Sequence, residues 1–574
     1  MSWICGVIGF PESNLKQKIC DDFEKPIFQI EEKELFIIAG GHSKTCLFYN
    51  SENDTKNIVL GLGIKEINNS YKIANIDDWK NTSDNEIKNK WNGHFIKISI
   101  GTDFINFFCD EIGLRDLFFY KISDNCYIFT TNQGKLSKIC NIPIDYYEFA
   151  SRWILTQQIT NNSILKNVIR LNQGKELYFD RKTFDYKLSK TNWLPNITSN
   201  FLEDDFFENE LEKLITFGAN TDSNSELILS FSGGFDSRLI ISFLEKDIKT
   251  FTFGKEYFSD VKIVKQICNS LNIENELIFY EIPEKEQLLK EIIEYSNQLC
   301  ISRQMSEYLQ QRNYLHFKDL DCINIDGCWG EIWRRAFFYK LFYTGKRDLL
   351  SKNYAQIWKY LLSRKADIFN DEINDLMEKA AKVQTEEMLL SLPDINVIGI
   401  DNFIDIFAIK TRLLNDVASE QARIDNILIT FMPFVQKSLL NMLFQIRANS
   451  RRNSKMFRRI IKKRNRELTK FPLVKGNFQH PFGLNTFLVK IIKVINQKFN
   501  LNRKNAYPQE HSKIVIDTLK EYILDLLNSQ KVKQNAYYRQ SKIDELTSKL
   551  HTNNLTPKDY GELDWWLSLE TMNL

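Results

Sequence analysis

No pair of cysteines in this sequence is spaced C-x-x-C; the ten cysteines are scattered from Cys5 to Cys328. That argues against a zinc ribbon or a disulfide framework and suits a reducing cytoplasmic setting. No basic segment precedes the apolar start M-S-W-I-C-G-V-I-G-F, which argues against a signal peptide. No run reaches the roughly 20 apolar residues that a bilayer span requires. The most lipid-like later stretch, Phe487 to Ile495, is broken by Lys490 and Lys493. Charge of one sign is also missing: 76 basic against 74 acidic residues leave a net charge of +2, which gives no reason to expect nucleic acid or a membrane as a partner. There is no internal repeat and no low-complexity linker.

What remains is a globular composition, 43% apolar and 26% charged. At roughly 100–200 residues per domain, the length predicts two to four domains. Up to about residue 195 the pattern is strand-rich, with short β-type runs at Trp3–Phe10, Leu35–Ala39, Asn57–Ile64, His94–Ile100, Phe104–Cys109, Cys126–Thr131 and Val168–Leu171, and one helical pattern from Ile144 to Leu155. This predicts a β-sandwich with some helix over residues 1–195. From residue 196 to 574 the character changes. A helix over Phe201–Phe217 precedes alternating strands and helices: strand Glu226–Phe231, helix Arg238–Glu245, strand Lys249–Phe253, helix Asp260–Leu271, strand Leu277–Tyr280 and helix Glu284–Gln298. Such alternation predicts a doubly wound α/β sheet. From Tyr354 onward the pattern is mostly helical.

The most informative segment is Ser230-Phe231-Ser232-Gly233-Gly234-Phe235-Asp236-Ser237-Arg238, placed between a buried strand and a helix. Adjacent glycines turn tightly and expose backbone N–H groups, Ser232 and Ser237 add hydroxyls, and the following helix brings its positive end. Together these form a cradle for pyrophosphate. Asp236 belongs beside phosphate only with Mg²⁺ between them. No G-K-[ST] follows, so this is not a Walker loop.

S-G-G-F-D-S-R resembles the loop of the pyrophosphatase-loop ATP ligases, and within them the asparagine synthetase family. Asp110 to Tyr120 resembles that family's R-D-x-x-G-x-x-P-L-Y-Y, Tyr127 to Asn132 its F-A-S-E strand, and Ile164–Phe179, with Gln173-Gly174, its P-G strand pair. Thr252-Phe253-Gly254 resembles the strand whose backbone reads adenine. Asp326-Gly327-Cys328-Trp329-Gly330-Glu331 stands where the family has S-G-x-G-x-D-E; Gly327 fits, and Trp329 and Glu331 depart. Met432-Pro433-Phe434 resembles P-F-L-D with Gln436 for the acid. Lys475-Gly476-Asn477-Phe478, with Pro481, resembles K-x-x-F-x-x-P, and Ser454-Lys455 onward resembles the K-x-x-L-R helix start.

The resemblance implies an N-terminal amidotransferase-like (Ntn-type) sandwich and an adenine-nucleotide α-hydrolase-like ligase domain with a helical C-terminal part. It implies ATP and Mg²⁺ as cofactors. By the same resemblance Ser230, Ser232, Gly233, Gly234, Asp236, Ser237, Phe253, Gly254 and Gly327 are expected to bind nucleotide, Asp236 and Glu331 to hold the metal, and Lys475 to steady the transition state, with Glu331 beside it in catalysis. A surface acid after a glycine turn is the other reading of Glu331.

The glutaminase half departs from the family. Cys5-Gly6-Val7-Ile8-Gly9 matches the C-G-I-x-G strand, yet removal of Met1 would expose Ser2, and a mid-strand cysteine has no α-amine to act as base. The arginine motif and the N-G-E loop are missing; the corresponding region reads Gly61 to Glu66. The expected reaction is therefore amide formation with an amine other than glutamine-derived ammonia, as in lasso peptide cyclases and β-lactam synthetases. A short precursor peptide with its leader-binding or protease partner is then the expected company. An ammonia- or glutamine-using asparagine synthetase or glycan-amidating enzyme, and a catalytically silent binding protein, are the alternatives. The basic stretch Arg447 to Lys470 reads as a solvated helix face.

Overall fold

The computed structural model describes the chain apart from residues 1, 13, 24, 52–53, 156, 198–199, 217–225, 245–247, 297–303, 319, 426, 476–477, 486–487, 490, 493–507 and 574. The ends of the expected helices at Phe217, Glu245 and Gln298, the turn Gly476-Asn477 and most of the Phe487 to Ile495 stretch lie outside the described residues.

The N-terminal part is built from two antiparallel sheets. One runs, in bonded order, Val168–Leu171, Leu117–Ser123, Cys126–Thr130, Trp3–Gly9, Leu35–Gly40 and Phe28–Glu32. The other runs Tyr186–Lys190, Lys175–Asp180, Phe104–Cys109, Asn92–Ile100, Lys56–Ile67 and Cys46–Asn50, with Ser70–Ile73 paired on Lys56–Ile67. Period-two alternation decides which side chain faces which layer. Ile4 and Ile8 point between the sheets, where they pack with Ile37, Ile58, Phe107 and Phe129. Cys5 and Val7 point to the other face, against Leu15, Ile19 and Leu136 of the helices Leu15–Asp22 and Gln133–Cys140. The second sheet is covered by the helices Ile76–Asn81 and Asp84–Lys90 through Trp79 and Ile87. The central strands Trp3–Gly9 and Asn92–Ile100 are thus covered on both faces, and exposure is left to outer strands such as Tyr186–Lys190 and to the end of Leu117–Ser123.

The second part holds a five-stranded, all-parallel sheet in the order Asn275–Ile278, Lys249–Phe253, Glu226–Ser230, Cys322–Ile325, Ile429–Phe431. The first strand in sequence, Glu226–Ser230, is central, and the chain leaves it toward one edge and later returns to its other side at Cys322–Ile325. The strand order therefore reverses beside Glu226–Ser230, and the carboxyl end of such a strand pair is where open α/β sheets leave a crevice. Mostly helical structure follows, from Asp371–Leu390 to the closing helix Pro557–Glu570. Among the described residues no helix is long and apolar enough to cross a membrane.

The two parts meet through buried charge. The Asp425 carboxylate pairs with Arg115 and, at 3.1 Å, with His94. Arg152 pairs with Asp416, and Lys410 donates to Gln173 (2.9 Å), Asn192 (2.9 Å) and the Trp193 carbonyl (2.6 Å). Lys410 and Asp416 lie on Ile409–Val417, a π-helical stretch; such wide turns often mark functional positions. Gln436, the substitute for an expected acid, is buried and accepts from the Gly93 N–H at 2.7 Å, so its amide now joins the two parts.

Candidate functional site

The glycine loop leaves the central parallel strand and enters the helix Phe235–Ile241. Gly233 has φ +66°, a left-handed conformation that a β-carbon would strain. The Ser232 and Ser237 hydroxyls meet at 3.2 Å, and Ser232 Oγ accepts from the Gly234 N–H at 3.4 Å. The Ser230 N–H donates to Asn324 Oδ1 (3.1 Å) on the neighbouring strand. The Thr252 hydroxyl donates to the Phe231 carbonyl at 2.8 Å, which sets the Phe253-Gly254 strand end beside the loop. A cleft of about 300 Å³ opens there, lined among others by Phe253, Gly254, Phe258, Phe279 and Tyr280.

A second loop follows the strand Cys322–Ile325 and closes on the first. A β-carbon on Gly327 would meet Asp236 at 3.2 Å, and one on Gly330 would stand 2.1 Å from Asp236 Oδ1. Trp329 between them is buried at φ +70°, where the related motif has glycine; a bulky residue in that conformation is strained. Asp326 caps the turn by accepting from the Cys328 N–H at 2.9 Å.

Asp236 is held by a residue that the motif reading missed. Arg334 Nε and Nη2 donate to the two Asp236 oxygens at 2.8 and 2.6 Å, and Arg334 also reaches Glu331 at 3.4 Å. Burial pushes the Asp236 carboxyl up to about 7, and Glu331 and Asp326 add repulsion against the pull of Arg334. Asp236, Asp326 and Glu331 thus lie within electrostatic reach of one another. Their hard oxygens suit Mg²⁺, and their mutual repulsion calls for a cation beyond Arg334. Among the described residues no three metal-binding side chains are already gathered around one point. Glu331 is 43% exposed, so both readings of it, a metal ligand and a surface acid, meet its position.

Cations ring the same loop. Arg238 is fully buried; its Nε donates to the Gly233 carbonyl (2.7 Å), and its other nitrogens donate to the carbonyls of Leu468, Phe471 and Pro472. One side chain therefore ties the glycine loop to the segment that leads into the strand Leu473–Lys475. Lys475 ends that strand, opposite Phe478 in a short hairpin. Burial holds the His480 imidazole below its ordinary pKa, and Arg458, Lys475 and Arg238 depress it further, so all three cations act at this place. Arg458 donates to the Phe482 (2.6 Å) and Leu484 (2.7 Å) carbonyls and lies over the Phe235 ring.

Most of the basic stretch is exposed, as its composition predicts, with Arg447, Arg459, Lys462, Lys463, Arg466 and Lys470 open to solvent, and a minority is drawn into buried pairs. Arg451 is fully buried against Asp405, Arg452 pairs with Asp401, and Arg464 forms a fork with Glu212 and a bond to Glu208. Its acidic partners come from remote segments, chiefly the helix Asp204–Ile215. Lys455 is exposed.

Cys5 sits in the middle of Trp3–Gly9, paired with Thr130 on one side and Ile38 on the other, and it is fully buried. Burial pushes its thiol far above the ordinary value, the opposite of what a thiolate nucleophile requires.

The family model of asparagine synthase matches residues 218–315. No curated protein matches the chain. Among solved structures the chain is similar to the allosteric regulatory enzyme of purine biosynthesis, at 10% identity over 57% of this chain and 68% of that one, with a TM-score of 0.20. It is also similar to the B. subtilis glutamine phosphoribosylpyrophosphate amidotransferase complexed with ADP and GMP, at 11% identity over 58% and 77% of the two chains, with a TM-score of 0.21.

Proposed function

We propose that this chain, whose residues 218–315 match the asparagine synthase family model, belongs to that family and is an ATP-dependent amide ligase. A carboxylate oxygen attacks the α-phosphorus of ATP and pyrophosphate leaves. An amine then displaces AMP from the acyl carbon and gives up its proton. The observation that carries this reading is the serine–glycine loop at the carboxyl end of the central parallel strand, with the turn Asp326–Glu331 closed over it. In this reading Ser232, Gly233, Gly234 and Ser237 offer N–H and hydroxyl groups to pyrophosphate, Ser230 and Gly327 hold the two loops together, and Phe253-Gly254 flanks adenine. Mg²⁺ bound by Asp236 and Glu331 would offset phosphate charge. Lys475, steered by Arg238, meets the charge that grows on the α-phosphate, where a preorganised cation supplies about 3 kcal/mol.

The finer reading is an intramolecular macrolactam cyclase acting on a short peptide, with a leader-binding or protease partner that delivers it. Its support is the buried, amine-free setting of Cys5, which leaves the acyl acceptor to come from the substrate. The test incubates the chain with Mg-ATP and a peptide bearing a free N-terminal amine and an Asp or Glu side chain. Pyrophosphate release with loss of one water from the peptide is expected, and Asp236→Ala should lose both while keeping its fold. Asparagine formation from aspartate and ammonia, with the peptide untouched, would replace the cyclase reading. Pyrophosphate release unchanged in Asp236→Ala would remove the site assignment.

A further inference from the structure

We propose that Arg334 is an exchangeable latch on Asp236. Its guanidinium holds the carboxylate, and a divalent cation gains Asp236 only together with a nucleotide phosphate that takes the guanidinium in exchange. The proposal rests on the nucleotide reading of the loop.

Three observations carry it. First, the Arg334 fork covers both Asp236 oxygens, at 2.8 and 2.6 Å, a paired geometry stronger than a single contact. Asp236 has little room to turn away, because Gly330 lies so close that a β-carbon there would stand 2.1 Å from Oδ1. A lone cation must therefore displace a partly buried ion pair before it meets an oxygen. Second, two guanidiniums share the Phe235 ring, Arg334 at 5.6 Å and Arg458 at 4.8 Å, but they are held differently. Arg458 is fixed by the backbone carbonyls of Phe482 and Leu484. Arg334 is held by the carboxylates of Asp236 and Glu331. A phosphate oxygen can replace a carboxylate oxygen as its acceptor with the same planar fork. Third, the neighbouring acids are unevenly served. Asp326 and Glu331 remain close to Asp236, so nucleotide arriving without a metal meets negative charge, and metal arriving without nucleotide meets Arg334. Only the two together satisfy every group. The result is positive coupling between the two ligands, which linkage requires to be reciprocal.

The test uses the full chain, Mn²⁺ followed by electron paramagnetic resonance, and α,β-methylene-ATP. Nucleotide-free wild type should bind Mn²⁺ weakly, and Arg334→Met should bind it at least tenfold more tightly, with the gain lost in Arg334→Met/Asp236→Asn. The analogue should bind wild type tightly only with Mn²⁺ present. In Arg334→Met that dependence should shrink because the affinity of the Mn²⁺-bound analogue falls, and Arg334→Lys should lie between the two. If circular dichroism shows Arg334→Met unfolded, wild type, Asp236→Asn and Arg334→Lys decide the matter. Tight Mn²⁺ binding by nucleotide-free wild type that disappears in Asp236→Asn overturns the latch. Analogue binding indifferent to every change at Arg334 overturns the exchange alone. An analogue that binds no variant under any condition overturns the nucleotide reading, and the exchange falls with it.

Discussion

Asp236 is where opposing effects are most evenly matched. Burial raises its carboxyl to about 7, with Glu331 and Asp326 adding and Arg334 opposing. A folded-state value above the ordinary one means that the folded protein binds a proton more readily than the unfolded chain between about pH 4 and 7. Stability from this group is full below that window and is lost as pH rises through about 7. In metal-free buffer the melting temperature should thus fall as pH rises from about 4 to 7 and level off above that, and it should fall less in Glu331→Gln, which removes one source of repulsion. Identical pH dependence in both proteins would mean that Glu331 does not act on Asp236. Lys475 belongs to the same set of charges through its reach to His480. If it acts on the transition state, Lys475→Ala should lower kcat about a hundredfold, equivalent to about 3 kcal/mol, with little change in ATP binding. Lys475→Arg should rescue poorly, and Lys462→Ala should be almost silent. Equal small effects in all three would move the search for the catalytic cation to Lys455.

The helix Lys455–Arg464 shows why a run of charge is hard to read along one dimension. Its sequence is strongly basic, yet Glu208, with a side chain only 3% exposed, receives Arg464 at 2.6 Å and Lys463 at 3.1 Å from more than 250 positions away. Arg464→Ala leaves Glu208 buried and short of a partner and should cost about 1–3 kcal/mol. Arg459→Ala removes a half-exposed guanidinium from a buried Asp204 that keeps the Ser450 hydroxyl at 2.6 Å, and should cost less than the loss at Arg464. Denaturant unfolding of the two variants checks the contrast, and equal losses would refute it. The same distance effect sets what the sequence discloses elsewhere. Phe104–Cys109 and Val168–Leu171 are strands at the residues where alternation places them, because burial on one or both faces writes the pattern directly. Cys46–Asn50 and Leu117–Ser123 escape notice, since their outer residues are exposed or charged and their pairing is supplied by remote strands. The glycine loop was legible because backbone chemistry demands those residue types in that order. Arg334 was not, since its acid lies 98 residues earlier in the chain and no spacing rule links them.

Across the whole molecule, Asp425 is the clearest test of how the sandwich and the parallel sheet depend on each other. Its side chain is 1% exposed and pairs with His94 of the strand Asn92–Ile100 and with Arg115 of the loop before Leu117–Ser123. It also accepts from the Thr430 N–H at 2.9 Å, on the edge strand Ile429–Phe431. The next residue on that strand, Phe431, accepts the Asp326 N–H at 2.9 Å and so fixes the start of the turn that closes over Asp236. Asp425→Ala would leave Arg115 as an uncompensated buried charge, a change that costs about 3–5 kcal/mol. Asp425→Asn keeps the shape and one acceptor, and should cost less. Because the lost contacts join the two parts, calorimetry should show the sandwich of Asp425→Ala melting at a lower temperature than in wild type. Because the edge strand loses its anchor, nucleotide binding should weaken in the same variant although Asp425 touches no part of the site. Asp103→Ala, which breaks an exposed pair with Lys182 (55% and 69% exposed), is the control and should change neither measurement. An Asp425→Ala protein that melts at the wild-type temperature would show that the Asp425 pairs are dispensable and that the remaining contacts, among them Arg152–Asp416 and the Lys410 bonds, suffice to join the two parts. Weakened stability with unchanged nucleotide affinity would confine the effect to the interface and leave the turn Asp326–Glu331 held by its own strand.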